Sequence, residues 1–203
     1  MSGNANLFAH FQQHFPADLN TQLLTDVDGS GVTYLQADQA SARIANTLLQ
    51  LGAGRGDRIT VQVEKSVENL YLYLACLRAG LVYHPLNTAY TASELAFFLE
   101  NAEPSIVICA SDALTTIESV LPENGIKALL TLDADGGGTL MPQAEGASEQ
   151  ASVAQCEGAE MAALLYSSGT TGRPKGIMLS HDNLRKNAKT LVQTWGFSAS
   201  DRL

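Results

Sequence analysis

The sequence predicts an α/β fold: a layered, mostly parallel β-sheet with helices on both faces. Short apolar segments rich in β-branched residues alternate with longer segments of helical periodicity along most of the chain. Strands that alternate with helices at this spacing form right-handed βαβ units, whose helices cover the sheet. The chain has 203 residues, of which 45% are hydrophobic and 16% charged. It can therefore bury a core of its own, and one domain or slightly more is expected.

The first segments predict a short helix followed by a hairpin. Residues 6–15 carry four apolar side chains on one helical face, and Pro16 ends the helix. Residues 22–26 and 32–34 flank a cluster of turn-forming residues at 28–31, which is typical of two strands joined by a tight turn. The regular alternation of helices and strands therefore starts after residue 34.

Between residues 35 and 132 the helix and strand patterns alternate without interruption. Gly52 and Gly80 are well placed to end two of the helices, and Thr91 with Glu94 forms a capping box that opens a third. The predicted helices are 35–51, 66–79, the helix running from this capping box to about 101, and 111–121. The predicted strands are 59–63, 82–84, 106–109 and 128–132.

Residues 133–158 interrupt this alternation. They include three consecutive glycines and then a stretch of small residues with almost no large apolar side chains. Such a composition is typical of a surface connection, and we predict a mobile, loop-rich segment with one short helix. Strands at 161–165 and 177–179 follow, and Ser180 is expected to cap a last helix that ends near residue 195.

The last two strands flank an eleven-residue segment, 166–176, that holds three glycines, four aliphatic hydroxyls, one arginine and one lysine. Glycines allow backbone N–H groups to approach a ligand closely, and the hydroxyls and cations match anionic oxygens. The pattern differs from the common P-loop because Gly176 follows Lys175 and Pro174 precedes it. The residues alone predict a polyphosphate site; a glycine-rich turn that binds nothing is the alternative.

Charge and cysteine content narrow the class of protein. Residues 1–172 hold six Lys/Arg and 19 Asp/Glu, a net charge of −13, whereas residues 173–203 hold six and two, a net charge of +4. An acidic body argues against a nucleic-acid partner, and no apolar run approaches the length of a membrane span. Three unpaired-looking cysteines and a start without a secretion pattern favour a reducing, cytoplasmic location.

The segment 166–176 resembles the phosphate-binding loop of the adenylate-forming enzymes, which include acyl-CoA synthetases, adenylation domains of peptide synthetases and luciferases. Further stretches along the chain resemble acyl-CoA synthetases, and malonyl-CoA synthetases most of all. These stretches are 6–8, 64–68, 72–75, 78–80, 85–91, 102–104 and 180–184. Ser167 stands where the family usually has threonine, and the hydroxyl is retained.

The resemblance implies that residues 1–203 are the N-terminal part of the AMP-binding large domain of such an enzyme, without its C-terminal domain. It implies an ATP-dependent acid–CoA ligase that adenylates a carboxylate, malonate first of all, and then forms a thioester with coenzyme A. Lys175 would be the catalytic residue, approaching the β- and γ-phosphates of ATP. The residues that would wrap these phosphates are Ser167, Ser168, Gly169, Thr170, Thr171 and Gly172.

The family's Thr-Glu motif, which contributes a ligand to Mg²⁺, its ribose-binding aspartate and its late lysine have no counterpart in this sequence. We therefore assign no metal ligand and expect the 203 residues to be inactive alone, since electrostatic catalysis needs several positioned groups. Two alternatives stay open. The ligase can act on another carboxylate, fatty or aromatic, or the chain can be a non-catalytic nucleotide-binding module.

Several residues outside the loop are interpreted structurally. His10 and His14 lie four apart, but no cysteine or carboxylate accompanies them, so surface histidines are favoured over a metal pair. His84, at a strand end, is interpreted as a core residue with a ligand contact as the alternative, and His181 as a helix-start residue. Two cysteines are interpreted as buried small hydrophobes and three basic residues as a solvated helix face. These are Cys76, Cys109, Arg185, Lys186 and Lys189.

Overall fold

The computed structural model describes residues 3–25, 30–167, 174–198 and 201. Its α-helices are α1 Leu7–Gln12, α2 Tyr34–Gln50, α3 Val67–Ala79, α4 Ala92–Ala102, α5 Leu114–Glu118, α6 Leu140–Glu145 and α7 His181–Trp195. Its strands are β1 Gln22–Thr25, β2 Gly31–Thr33, β3 Arg58–Gln62, β4 Val82–Pro85, β5 Ile106–Cys109, β6 Ala128–Thr131, β7 Met161–Ser167 and β8 Lys175–Ser180. A short 3₁₀ helix, Ser111–Ala113, precedes α5.

The main sheet has six strands in the order β6-β5-β3-β4-β7-β8. All neighbouring strands run parallel except β7 and β8, which form an antiparallel pair. The predicted α/β class and mostly parallel sheet are therefore confirmed. β1 and β2 form a separate antiparallel hairpin, as the sequence predicted.

Helices cover both faces of the sheet, because successive side chains of a buried strand point to opposite sides. In β5, Ile106 and Ile108 pack into a core shared with α2 and α3, whereas Val107 and Cys109 pack into a core shared with α4 and α5. All four side chains are fully buried. The continuous apolar run of β5 thus follows from its position inside a layered structure.

The helix boundaries largely follow the sequence pattern. The Thr91 N–H donates to a carboxylate oxygen of Glu94 at 2.8 Å, which completes the predicted capping box. Gly80 ends α3 with φ of +69°, a left-handed conformation that favours glycine. The predicted helix 111–121 is shorter, however, and α5 ends at Glu118. After Glu118 the backbone turns more tightly, and the Val120 N–H donates to the Ile117 carbonyl three residues earlier at 3.0 Å.

The connection between β6 and β7 contains α6 and is attached to the rest of the protein by polar contacts. Asn46 donates to the carbonyls of Ser148 and Gln150 at 2.9 and 3.1 Å. The fully buried Asn6 donates to the carbonyl of Ala154 at 3.1 Å. These side chains satisfy backbone groups that the irregular segment leaves unpaired.

None of the helices within the described residues combines the length and apolar character that a membrane crossing requires.

Candidate nucleotide site

The stem of the predicted phosphate loop is the hairpin formed by β7 and β8. Its register places Tyr166 opposite Gly176 and Ser167 opposite Lys175. The Ser167 hydroxyl and the Lys175 ammonium group are therefore carried by paired residues where the loop begins and ends. The remaining predicted phosphate-binding residues, Ser168 to Gly172, lie outside the described residues.

The hairpin lies in a part of the sheet where ligands commonly bind. β7 runs parallel to β4, with Tyr83 beside Ala163, and β4 runs parallel to β3. The carboxyl ends of these strands therefore point to one edge, and Ser167 ends β7 at this edge. In open α/β sheets, ligands bind outside the carboxyl ends of the parallel strands. The position of the stem agrees with the predicted polyphosphate site.

The two predicted phosphate-site residues that the structure describes, Ser167 and Lys175, differ in exposure. Lys175 is exposed and Ser167 is half-buried. An ammonium group on a flexible stem at the surface can approach an incoming anion as a compact point charge. This pair can provide one hydroxyl and one positive charge to a phosphate chain.

Tyr166 anchors the stem to helix α4. Its ring centroid lies 4.7 Å from that of Phe98 and 5.5 Å from that of His84. Its hydroxyl donates to the side-chain oxygen of Asn101 at 2.5 Å, and burial raises the pKa of the phenol. Tyr166, directly before Ser167, is therefore held by aromatic contacts of its ring and by a hydrogen bond from its hydroxyl.

His84 is fully buried in β4, with Nδ1 2.8 Å from the hydroxyl oxygen of Thr60 on β3. Burial, together with the smaller effect of the positive charge of Arg58, lowers the pKa of His84 to about 4. The imidazole is thus neutral at physiological pH. Its contact with Tyr166 was not predicted from the sequence, although Thr60 and His84, polar residues among the apolar side chains of two strands, were a visible indication of a buried polar network.

A groove of about 500 Å³ opens between the end of α4 and the β7–β8 hairpin. Arg58 lies in its wall, but its guanidinium group donates to the carbonyls of Ala102 and Glu103 at 2.8 and 2.6 Å. Arg58 therefore neutralises the carboxyl end of α4, where the helix dipole favours a cation. Its hydrogen-bonding capacity is largely used within the fold.

No group of three or more His, Cys, Asp and Glu side chains suitable for a metal ion occurs among the described residues. The rings of His10 and His14 lie 4.7 Å apart, and Nδ1 of His14 contacts the His10 carbonyl at 2.9 Å. The pKa of His10 is lowered by partial burial and by neighbouring positive charges. This geometry agrees with surface histidines, as the sequence indicated.

The structural interpretations of His181, Cys76 and Cys109 are confirmed. Of the three basic residues expected on a solvated helix face, Lys186 and Lys189 are exposed, whereas Arg185 is half-buried and donates to the Asp182 carboxylate at 2.9 Å. His181 is the first residue of α7 and is buried, and its Nδ1 accepts the Leu7 N–H at 3.1 Å, which links α7 to α1. Cys76 and Cys109 are buried free thiols, and burial raises the pKa of Cys109 to about 11. Their thiolate forms are suppressed at neutral pH, so neither has the character of a nucleophile.

The fold and the position of the hairpin agree with a family match along the chain. The family model described as AMP-binding enzyme matches residues 11–203, and the chain belongs to this family. The crystal structure of apo MatB from Rhodopseudomonas palustris superimposes with a TM-score of 0.92 at 43% sequence identity, covering 98% of this chain and 39% of MatB. A crystal structure of the same protein with ATP bound matches at 44% identity with the same coverage.

Curated relatives include CoA ligases for fatty acids. The long-chain-fatty-acid–CoA ligase of Mycobacterium tuberculosis is 28% identical over 172 residues, which are 85% of this chain and 34% of that protein. The medium-chain fatty-acid–CoA ligase of Escherichia coli is 29% identical over 214 aligned positions, covering 95% of this chain and 37% of that enzyme. The chain thus spans little more than a third of the length of these relatives. The predicted resemblance to acyl-CoA synthetases is confirmed.

Proposed function

We propose that this chain is the nucleotide-binding part of an ATP-dependent acid–CoA ligase. Such an enzyme transfers AMP from ATP to a carboxylate with release of pyrophosphate, and the acyl group then passes to the thiol of coenzyme A. The observation that carries this proposal is the β7–β8 hairpin, which pairs Ser167 with Lys175 at the carboxyl edge of the sheet in a chain that belongs to the AMP-binding enzyme family. The ATP-bound structure of MatB supports ATP as the nucleotide.

In this proposal, residues 167–172 wrap the β- and γ-phosphates of ATP. Backbone N–H groups freed by Gly169 and Gly172 and four hydroxyls provide donors to phosphate oxygens. Lys175 is the catalytic residue and contributes a positive charge as negative charge accumulates on the departing pyrophosphate. Mg²⁺ would neutralise the polyphosphate further, and we assign it no ligand among the described residues.

Malonate is the acid we propose first, because the stretches named in the sequence analysis resemble malonyl-CoA synthetases most of all. Sequence identity to MatB is 43–44%, whereas it is 23% to an anthranilate–CoA ligase and 22% to a benzoate–CoA ligase from Burkholderia xenovorans. The likeness therefore favours MatB over aryl-acid ligases of the same fold. A fatty acid is the second candidate, because curated relatives at 28–29% identity are fatty-acid–CoA ligases.

The test is a pyrophosphate-release assay on the protein expressed from the complete reading frame that contains this chain. We expect malonate with ATP and coenzyme A to give pyrophosphate and AMP, and octanoate and benzoate to give little. Preference for octanoate or benzoate would replace malonate while keeping the ligase class. Formation of ADP would exclude adenylation, because it requires cleavage between the β- and γ-phosphates.

A non-catalytic nucleotide-binding module is the competing class. It predicts saturable binding of MgATP by the 203 residues and no adenylation by any longer product of the gene. Thr170→Ala combined with Lys175→Ala should abolish ATP binding under either hypothesis. The matched control is Lys189→Ala, which removes an exposed lysine from α7, outside the segment 166–176. Equal binding by the double variant and the control would contradict the assignment of the loop.

A further inference from the structure

A histidine at position 84 is unfavourable for the free energy of folding. It is fully buried, and within the described part of the chain its Nε2 atom has no hydrogen-bond partner. Burying a polar atom without a partner destabilises a fold, whereas an apolar ring of similar size would avoid this penalty. Core packing alone therefore does not account for a histidine in the middle of this sheet.

The His84 imidazole lies between Thr60 of strand β3 and Tyr166 in the stem of the phosphate loop. On one side, Nδ1 is 2.8 Å from the Thr60 hydroxyl, in the neighbouring strand β3. On the other, the ring meets Tyr166 with centroids 5.5 Å apart and planes inclined by 56°. The hydrogen bond to Thr60 restricts rotation of the imidazole, so the ring presents a fixed surface to Tyr166.

Tyr166 transmits this constraint to the loop. It pairs with Gly176 in the hairpin and directly precedes Ser167, which pairs with Lys175. A shift of the Tyr166 ring would therefore move the backbone at both ends of the loop. Phe98 and Asn101 of α4 hold the same ring from the helix side, so Tyr166 is clamped between the sheet and α4.

We propose that His84 is a positioning residue that fixes the stem of the phosphate loop through the ring of Tyr166. This inference rests on the proposed function for its consequence, which is tighter binding of ATP, but not for the contact itself. His84 touches no phosphate in this account; it limits the motion of residues 166, 167, 175 and 176. Burial keeps the imidazole neutral, so its contact with the Tyr166 ring does not change across the physiological pH range.

The first experiment is amide hydrogen exchange of the stem without nucleotide. His84→Ala removes the ring and should raise the exchange rates of the hydrogen-bonded amides among stem residues 166, 167, 175 and 176 about tenfold. His84→Phe keeps a ring of similar size against Tyr166 and should restore most of the protection. The matched control is Tyr83→Phe. Tyr83 lies on the opposite face of β4 and donates its hydroxyl to Asn69 of α3, so removing that hydroxyl should leave the stem unchanged.

A second residue pair keeps the proposal testable if His84→Ala fails to fold. Tyr166→Leu should raise stem exchange as His84→Ala does, and Tyr166→Phe, which keeps the ring but loses the bond to Asn101, should do so less. Adding His84→Ala to Tyr166→Leu should cause no further increase, since both changes break one contact. If the two substitutions raised the exchange rates independently, so that their effects multiplied in the double variant, the proposal would be overturned. It would also be overturned if the stem amides of His84→Ala exchanged no faster than those of Tyr83→Phe.

ATP affinity is measured on the same variants in a separate assay. With the proposed function correct, the dissociation constant for MgATP should rise about tenfold in His84→Ala and little in His84→Phe. If the unmodified protein binds no ATP, the proposed function fails while hydrogen exchange still decides the role of His84. If ATP binds equally well to all variants although stem exchange differs, the positioning role has no functional consequence and the proposal is rejected.

Discussion

Acid should destabilise this protein through His84, and the size of the effect follows from its burial. Burial and, to a smaller extent, the charge of Arg58 lower the pKa of the imidazole from 6.5 to about 4. In the unfolded chain the ring takes up a proton near pH 6.5, whereas the folded protein resists protonation until about pH 4. The stabilising contribution is therefore fully present above pH 6.5 and is lost as the pH falls towards 4.

The difference between the two pKa values corresponds to about 3 kcal/mol, of which about 2 kcal/mol is lost between pH 7.5 and pH 5.0. The assay is urea unfolding of the wild-type chain and of His84→Phe at both pH values, followed by circular dichroism. The variant keeps a ring in place but cannot be protonated. We expect the free energy of unfolding of the wild type to fall by about 2 kcal/mol more than that of the variant.

Other groups titrate in the same range, and the comparison removes them. The pKa of His181 is also lowered by burial, and several carboxylates have pKa values lowered by hydrogen bonds, but these groups are common to both proteins. An independent measurement follows the His84 ring by NMR between pH 7.5 and 4. Equal losses of stability in the two proteins, or a His84 ring that titrates near 6.5, would refute the argument from burial.

Three further substitutions test contacts that hold the helices and the α6 segment together. Asn6→Ala removes the N-cap acceptor of the Phe8 N–H and donors to one buried and one partly buried carbonyl, and should lower the free energy of unfolding by about 2–3 kcal/mol. Gly80→Ala places a side chain at φ of +69° and 3.2 Å from the sulfur of Cys156, and should cost about 1–2 kcal/mol. Arg78→Met breaks a buried ion pair with Asp38 and a cation–π contact 4.3 Å above the Phe8 ring, and should cost about 2–3 kcal/mol because Asp38 keeps partial access to water.

Each of these variants has a matched control, and all are measured by urea unfolding. Asn20→Ala removes an exposed asparagine. Gly146→Ala changes a glycine with φ of −79° and no neighbouring atom within 4 Å of the added carbon, so it should be neutral or stabilising. Arg55→Met removes an exposed arginine paired with Glu160 and should have a much smaller effect than Arg78→Met. A test variant no less stable than its control would contradict the role assigned to that contact.

Much of the local structure could be read from neighbouring residues. The four residues of the 91–94 capping box define the start of α4, and Gly80 defines the end of α3, because both signals act within one helical turn. The composition of residues 166–176 likewise indicates affinity for anionic oxygens wherever the loop lies. The early end of α5 was missed because the backbone changes to a three-residue turn at Val120, a change that apolar periodicity does not show.

The site depends on contacts between distant residues, and these were missed. Tyr166 and His84 are 82 positions apart, and Tyr166 reaches Asn101 across 65 positions. Neither contact is signalled by a repeating pattern of residues in the sequence. They exist because β7 lies beside β4 under helix α4, and strand neighbours are chosen by which surfaces bury one another.

The sequence by itself determined the alternation of strands and helices and most of their ends, because each depends on interactions between residues a few positions apart. It also predicted an anion site at residues 166–176 from their glycines, hydroxyls and cationic groups. Only the tertiary structure decided the strand order β6-β5-β3-β4-β7-β8, the pairing of Ser167 with Lys175 at the carboxyl edge, and the contact of His84 with Tyr166. These features depend on the packing of whole elements, whose free energy comes from burying surfaces that are remote along the chain.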